Sequence, residues 1–319
     1  HAQDLFRLNK LWARPETIII HEQTWTATAL RADIVLPATT TMERCDIGGT
    51  SRDPHVFYMP QLVEPVGQAR DDYDIFSDLA ARLGCEKAYT EDRNTEQWLR
   101  YLWDGVSHKV KLTGMLRPSF DELVAMNVWK VPKPETPEVL LSEFRECPSK
   151  NALNTPSGKI ELSSPRIASY GYDDISGHPK WASPLEWSGT ASDDQLALLS
   201  RQPEKFLHSQ LNRTHLAKTG PPDVFINPKE AQIRNINDGC EVTVYSERGG
   251  CRAVVRISDK CRSGIAVMET GPMFEGAIDN IDPGGNPNAV TPDFATSELA
   301  QASAAQSCLV RLRIEELDK

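Results

Sequence analysis

The sequence predicts an α/β segment followed by a small closed β-barrel. In the first 84 residues, short apolar runs of strand character alternate with helical patterns, the order expected of a parallel α/β sheet. After about Thr190 the pattern changes to six short strands at barrel-like intervals. At 319 residues the chain has room for about two domains with ordinary cores.

The first element is an amphipathic helix with Leu5, Leu8, Leu11 and Trp12 on one face. The run "TIII" (Thr17 to Ile20) and the run Ile34-Val35-Leu36 then read as two buried interior strands. The gap between them fits a right-handed parallel crossover with a short helix. Pro37 has no N–H to give to a ladder and ends the second strand. In such sheets ligands sit beyond the carboxyl ends of the strands, here His21-Glu22-Gln23 and the segment from Ala38 to Asp46. A helix over Asp71 to Leu83 buries Tyr73, Ile75, Phe76, Leu79 and Leu83, and Gly84 sits where a terminating glycine belongs.

Thr95 to Val106 carries Trp98, Leu99, Leu102 and Trp103 at helical spacing, and "SFDE" (Ser119 to Glu122) is a capping box before a further short helix. Proline density from Val131 to Pro137 marks an irregular connection, and "TPSGKIELSS" (Thr155 to Ser164) reads as a turn followed by an alternating strand. The barrel strands are "QLALLS", "VFINP", "CEVTVYS", "CRAVVRIS", "GIAVMET" and "SCLVRLRI", with "SERGG" (Ser246 to Gly250) closing a hairpin. One helix interrupts them, capped by Asn227, with Pro228 in its first turn and Glu230 as its early acid.

Composition narrows the function. A net charge of −10 without a basic run argues against a nucleic-acid partner, and no stretch is apolar enough to span a membrane. The seven cysteines are odd in number, widely spread and lack a CxxC pair, so they read as reduced, buried thiols, which favours the cytoplasm. The chain begins at His1 inside a helix where a doubly wound sheet would have a strand first. It therefore reads as the C-terminal portion of a longer protein whose signal region, if any, is not visible, leaving the periplasm as the alternative compartment.

Among motifs that carry chemistry, GxSxG, the P-loop, HExxH and GxGxxG are all absent. Polar clusters in loops remain. "LHSQLNR" (Leu207 to Arg213) puts His208, Ser209 and Gln210 at a strand-to-loop junction, suited to a polar polycyclic ligand or to solvent. In Asp282 to Gln306, Gly284 and Gly285 permit close backbone approach, and Asn286, Asn288, Asp293, Ser297, Gln301 and Gln306 offer amides, a hydroxyl and an acid. Asp74 lies near a helix start with Asp71 and Asp72, suited to the helix dipole or to two N–H bonds from a guanine edge. Arg44 suits a phosphate or Asp46. His55, His108, His178 and His215 read as structural or exposed.

Taken together, these residues resemble the C-terminal part of the molybdopterin oxidoreductases of the dimethyl sulfoxide reductase family. The branch most similar is that of the dimethyl sulfoxide, trimethylamine N-oxide and biotin sulfoxide reductases. The resemblance rests on the order and spacing of "HAQDLFRL", "HEQTWTATALRADIVLPATTTMERCDI", "DDYDIF", "NTPSGKIEL", "LHSQL", "NPKEA", "NDGCEVTV", "ERGG", "GNPN" and "DFATSELAQ". It implies that residues 1–150 are the end of a doubly wound α/β domain, that 151–189 connect, and that 190–319 form a six-stranded double-psi β-barrel. It further implies a bis-(molybdopterin guanine dinucleotide) cofactor carrying molybdenum, with tungsten as the alternative metal. The matching positions are His1, Gln3, His21, Glu22, Arg44 and Asp74 in the first domain and His208, Ser209, Gln210, Asn288 and Gln306 in the barrel.

Ala2 stands where the family has a second histidine, Cys45 where an asparagine is common, and Glu298 where a basic residue or glutamine is frequent. The implied activity is oxygen-atom transfer from an S-oxide or N-oxide, fed by a separate electron donor. The metal's serine ligand and the substrate-facing residues belong to a missing N-terminal portion, so no catalytic residue is expected here. A formate- or nitrate-type reaction with the same cofactor, and a non-catalytic dinucleotide-binding module, are the alternatives.

Overall fold

The computed structural model describes residues 2–50, 53–111, 117–132, 139–204, 207, 208, 210 and 220–315. They form two compact units, one made of Thr17–Asn154 and the other of His1–Glu16 with Thr155–Lys319. The expected irregular connection over 131–137 lies mostly outside the described residues, as do His108 (in its side chain) and His215.

The opening helix α1 (Leu5–Trp12) belongs to the second unit. Its buried residue is Phe6, whereas the expected stripe of Leu5, Leu8, Leu11 and Trp12 is only half-buried. Asp4 caps it through the Arg7 N–H at 3.2 Å and donates its own N–H to the Thr291 carbonyl at 3.0 Å. The Phe6 ring meets Phe274 edge-on at 5.5 Å.

In the first unit, β1 (Ile19–Glu22) and β2 (Ile34–Pro37) pair in parallel, joined by a 3-10 turn at Ala29–Arg31, as the crossover spacing requires. Pro37 is the last residue of β2, and its carbonyl accepts the Arg70 N–H at 3.1 Å. Within this chain these strands are less buried than expected. Ile19 and Ile34 are 51% and 45% exposed, because each strand has a single strand partner among the described residues and neither face is fully covered. An antiparallel sheet that the sequence reading did not anticipate follows, with order β3 (Asp46–Thr50), β4 (Asp53–Met59) and β5 (Val128–Lys130).

Helix α2 (Asp72–Arg82) buries Ile75 and Ala80, while Phe76, Leu79 and Leu83 stay exposed rather than joining the core. Gly84 ends it at φ 73°, as expected. A short α3 (Glu86–Thr90) and the long α4 (Thr95–Lys111) follow. Then α5 (Phe120–Met126) is started by the expected capping box, with Ser119 and Glu122 each holding the other's N–H. The core here is Leu99, Trp103, Phe120, Leu123 and Trp129, with the two indoles edge-to-face at 5.6 Å. The Trp103 Nε1–H, fully buried, is satisfied by the Pro118 carbonyl at 3.1 Å. A one-turn α6 (Ser142–Glu146) completes this unit.

In the second unit, α7 (Pro165–Ala168) follows a turn at Thr155–Gly158. The strand expected within Thr155–Ser164 does not form. Ser157 N–H bonds to Glu161 and the Thr155 hydroxyl to the Lys159 carbonyl, so the segment satisfies itself locally and leaves Ile160 and Leu162 exposed. The six expected barrel strands all appear: β6 (Leu196–Arg201), β7 (Asp223–Ile226), β8 (Glu241–Ser246), β9 (Gly249–Ile257), β10 (Ile265–Glu269) and, after the short β11 (Ile281–Asp282), β12 (Leu309–Ile314).

Their order is β9-β7-β10-β6-β12-β8, and β8 returns to β9, closing a mixed barrel. β6 and β10 run parallel, as do β7 and β9, and the other four pairings are antiparallel. The interior is filled by branched side chains such as Leu196, Leu198, Ile226, Val242, Val255 and Val310, all fully buried. Helix α8 (Pro228–Arg234) starts as read, with the Asn227 side chain taking the Lys229 N–H at 2.9 Å.

Candidate functional site

A cavity of about 570 Å³ lies within the first unit, beyond the carboxyl end of β2. Its walls are the loop Thr39–Cys45, the segment from Gln61 to Asp74, the start of α4 and the face of α5 that carries Phe120 and Val124. Arg44 donates to the Thr39 carbonyl at 3.0 Å and reaches Asp46 at 3.4 Å. The Thr39 hydroxyl in turn donates to Asp71 at 2.5 Å. Arg70 pairs with Asp78 at 2.7 Å. Arg100, at the far end, bridges Glu96 and Asp121 and lies 4.7 Å over the Phe120 ring. The lining thus combines guanidinium and carboxylate groups with apolar residues that include Leu99 and Phe120.

Several groups here titrate away from their ordinary values. Asp74 is raised, first by burial of its carboxyl and then by the Asp71 carboxylate, against the pull of Arg70. Tyr58 is pushed up to about 12, first by its hydrogen bond with Cys45 and then by burial. Glu43, 7% exposed, is lowered because the Thr40 and Val66 N–H groups and the Thr40 hydroxyl all donate to it.

Arg44 and Asp74 are therefore brought to one space. His21 and Glu22 lie at the carboxyl end of β1, outside that lining. The His21 ring bonds to Asp72 at 2.7 Å and packs 4.8 Å from Phe76, and Glu22 takes the Gln23 N–H and the Thr26 hydroxyl. Arg70, Asp71, Arg100 and Glu43 also line the cavity, and none was singled out as a ligand group from the sequence. Asp71 was visible only as a helix-start acid.

In the second unit the matching positions are engaged with the protein itself. Gln306 holds both the N–H and the carbonyl of Ser200, at 3.1 and 3.0 Å, extending the end of β6. Asn288 accepts the Thr291 hydroxyl at 3.1 Å in a turn that Asn286 caps. Gln3 donates to the Ser303 hydroxyl at 3.0 Å. Asp293 pairs with Arg7, while Ser297 accepts the Ala300 N–H and Gln301 is exposed. His208 adopts φ 52° and Gln210 is exposed, its N–H bonded to the Leu207 carbonyl; His1 and Ser209 lie outside the described residues.

Gly284 and Gly285 serve the fold. A Cβ on Gly285, at φ 75°, would fall 2.2 Å from Pro222, and one on Gly284 would fall 2.0 Å from the Met273 carbonyl. Buried Asp282 holds the same turn by accepting the N–H groups of Glu275, Gly284 and Asn286.

All seven cysteines are free; Cys251, Cys261 and Cys308 are buried, but Cys85 is exposed rather than buried as expected. Among the described residues no helix is long and apolar enough to cross a membrane, and no three His, Cys, Asp or Glu side chains cluster as a metal site.

Comparison with known proteins gives two family matches. Residues 196–309 match the molydopterin dinucleotide binding domain, and residues 1–82 match molybdopterin oxidoreductase. Biotin sulfoxide reductase of Cereibacter sphaeroides is 38% identical over 98% of this chain and 43% of its own length. Dimethyl sulfoxide/trimethylamine N-oxide reductase of Rhodobacter capsulatus is 37% identical, over 98% and 39% respectively. Trimethylamine-N-oxide reductase of Haemophilus influenzae is 36% identical, over 98% and 40%. The chain thus spans about two-fifths of the length of these relatives. Acetylene hydratase from Pelobacter acetylenicus shares the fold, with a TM-score of 0.75 at 21% identity, over 98% of this chain and 42% of that one.

Proposed function

Because the chain belongs to the molybdopterin oxidoreductase family, we propose that it is the cofactor-binding C-terminal portion of a molybdenum enzyme that reduces S-oxides or N-oxides. The cofactor we assign is the bis-(molybdopterin guanine dinucleotide) form. When bound, it supplies the two-electron oxygen-atom transfer chemistry, and the protein's part is to orient it and exclude side reactions. The observation that carries this reading is the cavity that gathers Arg44, Arg70, Asp71 and Asp74 in one space.

That cavity has the chemistry of a nucleotide arm. An ionised Asp74 offers the two acceptors that guanine N1–H and N2–H require, a pattern adenine does not present. Arg44 and Arg70 supply positive charge for phosphate, and Phe120 and Leu99 apolar lining. A volume of about 570 Å³ admits a nucleotide without expansion. Residues 190–319 are assigned the other arm, with His208, Ser209, Gln210, Asn288 and Gln306 on the barrel side; His21 and Glu22 are assigned to the first arm, and His1 and Gln3 to the dinucleotide without division between the arms. The rest of the enzyme supplies the metal's protein ligand and substrate contacts, and a separate donor supplies electrons. The free cysteines support a cytoplasmic place for it.

The test is the metal and nucleotide content of the full-length protein, purified from a host able to make the cofactor and then denatured. Molybdenum with about two guanine nucleotides per metal is the expected result. Neither metal nor guanine nucleotide would overturn the assignment and leave a resemblance of fold.

A further inference from the structure

The two walls of the cavity in the first unit are tied together by one buried carboxylate. The Glu43 side chain is 7% exposed and lines the cavity. One of its oxygens takes the Thr40 N–H at 2.7 Å and the Thr40 hydroxyl at 2.8 Å, which fixes the loop that carries Arg44. The other takes the Val66 N–H at 2.7 Å, in the opposite wall. Both oxygens are thus engaged, without a cation, by groups on two separate segments.

The segment 61–70 has little else to hold it. Leu62, Val63 and Val66 are 66%, 47% and 77% exposed, so apolar burial does not fasten it. Its remaining ties are backbone bonds, Leu62 and Val63 to the Met42 carbonyl at 2.8 and 3.2 Å and Arg70 to Pro37 and Thr39, and, at its last residue, the Arg70–Asp78 ion pair. Yet Gln61, Glu64, Pro65, Ala69 and Arg70 all line the cavity. A wall lacking a hydrophobic anchor takes its position from its polar bonds, and those to an ionised group are the strongest of them.

We propose that Glu43 is a positioning residue for the nucleotide cavity, latching segment 61–70 to the loop 39–44 so that Arg44, Arg70 and Asp74 face one ligand. This rests on the nucleotide reading of the cavity. Glu43 itself touches neither base nor phosphate in this role; it acts through the two walls.

The test uses the full-length protein freed of cofactor, with GMP as probe and AMP as control. Hydrogen exchange over residues 61–70 is followed alongside exchange in the barrel strands. Glu43→Ala is expected to speed exchange across 61–70 and weaken GMP at least tenfold, leaving barrel exchange unchanged. Glu43→Gln keeps an acceptor for one wall and should recover part of both losses. Should Glu43→Ala fail to fold, Glu43→Gln carries the test, with roughly threefold weaker GMP and faster exchange at Val66 expected. Unchanged exchange in 61–70, or unchanged GMP affinity once that segment has loosened, would overturn the latch. Wild-type protein that does not bind GMP would instead sink the nucleotide reading, while its exchange data would still report whether Glu43 holds the wall.

Discussion

Asp74 is the side chain whose proposed role can be stated most sharply, because the two proton states of its carboxyl do opposite things. Only the ionised form accepts from two N–H groups, and the raised value means that this form is costly in the ligand-free protein. GMP affinity should therefore be full at neutral pH and fall on acidification sooner than an ordinary carboxylate with a value near 3.8 would dictate. Asp74→Asn replaces one acceptor with a donor facing a donor. Affinity for GMP should drop by about 2–3 kcal/mol, roughly a hundredfold, with AMP little changed. The same variant should be slightly more stable without ligand, since it removes a carboxylate whose ionisation folding disfavours. Calorimetric titration at two pH values checks both statements, and equal GMP binding by the variant would remove Asp74 from the base site. Arg44 and Asp74 could be singled out from the sequence because they stand in a series of motifs whose order and spacing together are specific. Glu43 was not, since one glutamate beside an arginine looks like a surface acid until the chain from Val66 is seen to return to it.

All six barrel strands lie where their apolar runs predict, whereas the alternating run within Thr155–Ser164 forms no strand. The β3–β5 sheet escaped because its signals are contrary: β3 contains Gly48 and Gly49, β4 begins with Asp53-Pro54, and β5 has three residues. Its stability comes from pairing across the sheet and from Trp129 against Trp103, which are long-range facts. Helix α1 shows the same limit. Its leucine stripe suggested the buried face, but Phe6 is what docks, over a glycine whose Cβ would fall 2.3 Å from the ring. Phe6→Ala should cost about 3–5 kcal/mol by emptying a well-packed site. Gly249→Ala should also destabilise, because the ring and the new methyl claim one volume. Urea melts of the two variants and of the pair decide this: a double-mutant loss well below the sum places both at one contact, and strict additivity would contradict it.

At the scale of the whole molecule, an excess of acid over base has to be reconciled with a barrel that buries carboxylates. The solution is local, and it makes stability depend on pH in a definite direction. Burial alone would raise Glu230, but the Ser263 hydroxyl at 2.5 Å, the Gly264 N–H at 2.8 Å and the Arg234 guanidinium together hold it below its ordinary 4.5. Glu186 behaves alike: burial opposes it, and Arg248 at 2.7 Å with the Leu309 N–H lowers it. Both groups are depressed in the folded state, so their contribution is complete above the unfolded value and disappears as pH falls through the lower, folded one. Asp282 runs the other way, raised by burial despite its three N–H donors, and its ionisation weakens the fold as pH rises. The barrel should consequently lose stability below about pH 4.5, driven by the two glutamates, with Asp282 softening the slope. Glu230→Gln should cost about 3–5 kcal/mol at pH 7, because Arg234 is left buried without its counter-charge. That difference should shrink steadily towards acid, where wild type has already surrendered the same interaction. Denaturant melts at pH 7, 5, 4 and 3 measure it directly, and a variant deficit that stays constant across the series would show that the ionised Glu230 is not what couples the barrel to pH.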